Sequence, residues 1–184
     1  EILEFERLLH RDGVMDDILI LLPRNEIIEN VEILLDDDAE ILLPTEYKYS
    51  KPIVYYGSSI TEGGISCNPS NAYNAIISRH LDTDYINLGF SGSAKGEIPM
   101  AEFISTLDFS IFVYDYDHNA PTPEHLQKTH ERMFLTIRSA HPDIPIVMMS
   151  RPRAYLSEED QRRLEIITAT YENAKARGDH NVYL

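Results

Sequence analysis

The 184 residues carry 31 acidic and 16 Lys or Arg side chains, a formal net charge of −15, with 43% hydrophobic and 26% charged residues. That balance supports a packed core and excludes global disorder. It also argues against nucleic acid as a partner, because phosphate repels a carboxylate-rich surface, and no apolar run reaches the ~18 residues that a membrane span needs.

The acidity is uneven. Residues 1–50 hold 14 acidic and 4 basic side chains, against 17 and 12 in the remainder. Within them, Ile18–Pro23, Val31–Leu35 and Glu40–Leu43 are short apolar or alternating runs parted by polar turns, such as Arg24-Asn25 and Asp36-Asp37-Asp38. These predict short antiparallel strands. Pro44–Lys51 follows as a linker. The division expected is a β-rich segment over 1–50 and a second domain over 51–184. The chain opens at Glu1 without an initiator methionine or signal peptide, so compartment is left open, and a lone Cys67 offers no internal disulfide.

From Pro52 onward strand and helix alternate. Pro52–Gly57 predicts a buried parallel strand. Ser70 or Asn71 caps a helix to about Leu81, with Ala72, Ala75, Ile76 and Leu81 inward. Asp84–Leu88 is a second strand, Gly89–Gly96 a glycine-rich loop and Glu97–Thr106 a short helix. Phe109–Tyr114 is a third strand, followed by a helix from the Thr122 cap to Ala140. Pro145–Met149 is a fourth strand. Ser157 and Asp160 open a long helix ending near Gly178, and Val182–Leu184 begins a fifth strand. The expected fold is a three-layer αβα, flavodoxin-like parallel sheet, preceded by a small β-rich segment. Its ligand crevice would lie beyond the carboxyl ends of the strands, near Gly57, Leu88, Tyr114 and Met149.

Three loops at that edge carry chemistry. Gly57-Ser58-Ser59-Ile60-Thr61-Glu62-Gly63-Gly64 puts a hydroxyl at the mouth of the sheet and ends in a turn able to aim N–H groups at an oxyanion. The bland alternative is a Ser/Thr cap. Neither a P-loop nor a dinucleotide fingerprint is present, since no Gly-Lys-Ser/Thr follows and the glycine-rich loop comes after the second strand. Asn87-Leu88-Gly89-Phe90-Ser91-Gly92 lets a ligand approach the backbone closely. Asp115-Tyr116-Asp117-His118-Asn119 offers a carboxamide donor, or alternatively metal ligands in Asp115, Asp117 and His118. The metal reading is set aside because no supporting partners are evident in the sequence. No cofactor and no metal are expected. Tyr55, Tyr56, Tyr114 and Tyr116 read as sheet packing, with Tyr116 an alternative pocket residue. His125, His130 and His141 read as belonging to a surface helix, and Arg151 and Arg153 as solvated loop residues.

In order and spacing these blocks resemble the SGNH/GDSL hydrolase superfamily, over roughly residues 52–184. Gly57-Ser58-Ser59-Ile60 corresponds to the family's Gly-Asp-Ser-Leu, with Ser58 where the aspartate usually stands. The resemblance implies Ser59 as nucleophile, with Gly92 and Asn119 in the oxyanion hole. Here Asp115-Tyr116-Asp117-His118-Asn119 departs from the usual Gly-x-Asn-Asp. The resemblance further implies hydrolysis of carboxylic esters, with a small-molecule or carbohydrate ester as substrate. A silent binding module and an acyltransferase remain open alternatives. A serine of this kind needs a base, which the family supplies from an Asp-x-x-His block after its fifth strand. No Asp-x-x-His follows the fifth strand within the 184 residues, and Asp179 and His180 are adjacent and precede that strand, so the pair is expected after Leu184.

Overall fold

Each central strand is a run of β-branched and aromatic residues that buries both of its faces. In β1 (Tyr49–Gly57) the stretch Ile53–Gly57 is fully buried. β2 (Thr83–Gly89), β3 (Ile111–Asp115), β4 (Ile146–Met148) and β5 (Val182–Tyr183) join it in one parallel sheet of order β2-β1-β3-β4-β5. This is the flavodoxin-like order expected, with its switch between β1 and β3. The computed structural model describes residues 15–22 and 27–184.

Helices cover both faces. Ala101 and Ile104 of α3 (Ile98–Ser105), Leu126, Met133, Phe134 and Ile137 of α4 (Pro123–Ala140), and Ile167 and Ala174 of α5 (Glu158–Ala176) pack with Val54, Phe112, Tyr114 and Ile146. On the other face Tyr73 of α2 (Tyr73–Leu81) packs against Ile53, Tyr55 and Val113. The caps behave as their sequences predict. The Thr122 side chain accepts from His125 N, and Ser157 and Asp160 form a reciprocal capping box.

Several expectations are corrected. The helix assigned from Ser70 is a 3-10 turn, Pro69–Asn71, followed by α2, whose cap position Ala72 makes no side-chain bond. Its inner face is Asn74, Ala75 and Ser78, while Ile76 and Leu81 are exposed, because Asn74 is drawn in by the carbonyl of Thr61 (Nδ2 to O, 2.7 Å). His130 is buried rather than superficial: it stacks on Tyr114, and its Nδ1 lies 2.8 Å from Thr170 Oγ1. Burial holds its pKa down at about 3, so the ring is neutral. Tyr55, Tyr56, Tyr114 and Tyr116 are core residues.

Residues 15–22 and 27–47 contain no assigned strand among the described residues, and Ile27, Leu34 and Leu43 are largely exposed. The expected runs at 31–35 and 40–43 therefore have no ladder partner here; a strand requires one to satisfy its backbone groups. One tie is a 2.9 Å bond from Thr45 N to the Asp17 carboxylate. Pro23 and the Arg24-Asn25 turn lie outside the described residues.

Candidate active site

The site grows from the carboxyl ends of β1, β2 and β3. β1 ends at Gly57, and Ser58 caps a four-residue helix, α1 (Ser59–Glu62), its side chain accepting from Ile60 N at 3.2 Å. Ser59 is thus the first helical residue, half-buried at the mouth of the sheet. The turn closes immediately. Gly63 adopts φ +94°, and its amide and that of Gly64 donate to Ser59 O at 3.1 and 2.6 Å. A side chain on Gly57 would collide with Thr61, and one on Gly89 with the backbone of Thr61 and Glu62. These two glycines let α1 press directly onto the strand ends.

Hydrogen bonds join the three loops. Phe90 N donates to Gly57 O at 2.9 Å, tying the loop after β2 to the end of β1. Asn119 Nδ2 donates to Phe90 O at 2.8 Å, tying the loop after β3 to the same residue. Gly92 lies two residues on, exposed in a tight turn with φ +67°, and no atom lies within 4 Å of where its Cβ would be. The far end of this loop is held from below: Tyr56 Oη accepts from Gly96 N at 2.9 Å and donates to Glu97 at 2.8 Å, and His125 Nε2 lies 2.8 Å from Lys95 O.

Beside these loops lie two buried carboxylates that the sequence offered only as metal ligands. Asp115 and Asp117 are 4% and 2% exposed, and one oxygen of each lacks a hydrogen-bond partner. Burial, reinforced by the charge of Asp117, pushes Asp115 up to about 7. Burial likewise raises Asp117 to about 6, opposed by Arg151 and Arg163. With His118 they bring three ligand-type atoms within 4.8 Å of one another. Arg151 Nε stands 3.4 Å from Asp117, so one side of that carboxylate already faces a cation. Arg151 also bonds Asp160 at 3.1 Å and Asp117 O at 3.1 Å. It is a half-buried strut, not the solvated loop residue expected; Arg153, half-exposed and 3.5 Å from Asp160, is closer to that description. A cavity of about 220 Å³ opens between Asp117, Ser150, Arg153, Leu156 and Asp160.

Sequence reading did not single out Phe90 or Glu62 for the site. Glu62 stood inside the first motif, but only its contact with the second loop shows what it does. Phe90 acts through its backbone, which leaves no mark in residue type.

Fold and site together define a doubly wound α/β protein with serine, glycine and asparagine loops gathered at its sheet switch point. Residues 50–184 match the GDSL-like lipase/acylhydrolase family, and the chain belongs to it. A protein from Bacteroides ovatus described as a GDSL-like lipase is 30% identical, with 80% of this chain and 45% of that one covered and a TM-score of 0.67. The salicylyl-acyltransferase SsfX3 of a tetracycline biosynthetic pathway is 24% identical, with 74% and 43% covered and a TM-score of 0.64. A family two carbohydrate esterase from Clostridium thermocellum is 18% identical, with 78% and 55% covered and a TM-score of 0.62. The chain thus spans about half the length of these solved structures. No curated protein matches it.

Proposed function

We propose that the protein is a serine carboxylic-ester hydrolase working through an acyl-enzyme. Ser59 Oγ attacks the acyl carbonyl. The Ser59 and Gly92 amides and the Asn119 carboxamide carry the resulting oxyanion, and an Asp–His pair following β5 supplies the base. The observation that carries this reading is the bond chain from Gly57 through Phe90 to Asn119, since it draws the segments bearing all three groups to one edge. Asn119 spends one amide hydrogen on Phe90 and has a second to offer a substrate.

A small acyl group, such as acetyl on a carbohydrate, is the substrate class proposed. The likeness to a carbohydrate esterase solved with cellohexaose supports that choice. The likeness to an acyltransferase keeps transfer to an alcohol other than water as the second reading. Fluorophosphonate labelling of the full-length protein tests the nucleophile: labelling disappears in Ser59→Ala if the reading holds, and equal labelling of both proteins removes it. Acetylated sugars, with and without added acceptor alcohol, then separate hydrolysis from transfer.

A further inference from the structure

Glu62 ends α1, three residues after Ser59, and touches the second loop in two ways. Its carboxylate accepts from Ser91 N at 3.0 Å, and its carbonyl accepts from Asn87 Nδ2 at 3.5 Å. Asn87 in turn accepts from Gly89 N at 2.9 Å, and the missing side chain of Gly89 is what admits the Glu62 backbone there. The glutamate is therefore fixed at its main chain before its side chain reaches across. The amide it holds belongs to the residue immediately before Gly92.

The turn from Phe90 to Ala94 is anchored at its ends, by the bonds of Phe90 to Gly57 O and Asn119 Nδ2 and by the burial of Ala94, while Ser91, Gly92 and Ser93 between them are exposed. Phe90 O also accepts from Ser93 N and Ala94 N at 3.1 and 3.3 Å, which closes the turn and leaves the Ser91 amide to Glu62. Gly92 itself, with open space around it, does nothing to anchor the segment. An ionised acceptor on a backbone N–H makes one of the stronger hydrogen bonds available.

We infer that Glu62 is a positioning residue for the oxyanion side of the site: by holding the Ser91 amide it sets the direction in which the Gly92 amide points. This rests on the reading of Gly92 as an oxyanion donor. The same helix then carries the nucleophile at its start and the strut for the opposing donor at its end, so the two shift together.

The test compares Glu62→Ala with Glu62→Gln in the full-length protein. The half-exposed side chain makes both substitutions tolerable to the fold, and the glutamine oxygen still accepts from Ser91. Glu62→Ala is expected to lower kcat roughly ten- to hundredfold with KM within about twofold, a share of what an oxyanion donor contributes. Glu62→Gln should stay within about threefold of the parent. Amide exchange at Ser91 should accelerate about tenfold in Glu62→Ala and not in Glu62→Gln. Unchanged exchange at Ser91, or unchanged kcat in Glu62→Ala, overturns the inference. If Ser59→Ala leaves turnover intact, the function reading fails and the oxyanion role with it; Ser91 exchange still decides whether Glu62 holds the turn.

Discussion

The Asn119 side chain donates to the main-chain carbonyl of Phe90 at 2.8 Å, although the two residues sit on loops from different strands. That bond gives the asparagine two tasks in the proposed chemistry, fixing its own carboxamide and binding the second loop to the third. Asn119→Ala is expected to lower kcat roughly 10²- to 10³-fold, the loss typical for an oxyanion donor, as measured by steady-state turnover of an activated ester. An effect below about threefold would remove Asn119 from the oxyanion hole.

Close approach of α1 to the sheet makes Gly89 intolerant of any side chain. Gly89→Ala places a methyl group against the Glu62 and Thr61 backbone, so strand or helix must yield. The expected destabilisation is about 1–3 kcal/mol, read as a drop in urea midpoint. Gly92→Ala meets no neighbour and suffers only its positive φ, so it should cost about 1–2 kcal/mol from backbone strain alone.

Asp115 makes stability depend on pH in an unusual direction. Its folded pKa, about 7, lies above the unfolded value of 3.8, so the native state holds a proton that the unfolded chain releases. Stability from this group is complete below pH ~4 and is lost as pH rises through 7. Asp117, facing it at about 6, acts in the same sense, with Arg151 and Arg163 opposing and Thr61 donating to Asp115. Asp115→Asn removes the ionisation, so its stability relative to the parent should improve between pH 5 and pH 8, by an amount on the order of a few kcal/mol. Urea midpoints at the two pH values check this; parallel shifts would contradict it.

His130 gives the opposite slope. Its folded pKa, about 3, lies below the ordinary 6.5, because burial between Tyr114 and Thr170 disfavours the cation. Stability from this group is complete above pH ~6.5 and declines as pH falls toward 3. His130→Phe keeps the stacked ring but forfeits the bond to Thr170. It should be less stable than the parent at pH 7 by about 1 kcal/mol, and closer to it or above it at pH 4. Thermal unfolding at both pH values reads the crossing.

Much of the strand framework was legible because period and composition are local. Ile53–Gly57 and Ile111–Asp115 are continuous β-forming runs, and only a sheet covered on both faces buries such runs. The caps at Thr122 and Ser157 were equally local. Errors fell where a distant partner overrode the pattern. Asn74 turned inward to meet Thr61, Arg151 was drawn down onto Asp117 and Asp160, and His130 found Thr170 forty residues away.

What the sequence by itself determined is the alternation of strands and helices and the order of the loop motifs, since spacing and residue type follow from each segment alone. The tertiary structure decided which backbone atoms those loops share. Phe90 bridges Gly57 and Asn119 through its amide and carbonyl, groups that every non-proline residue possesses, so no side-chain pattern announces them. It also decided that Asp115 and Asp117 lie buried together, since burial is a property of what surrounds a carboxylate and not of the residue itself.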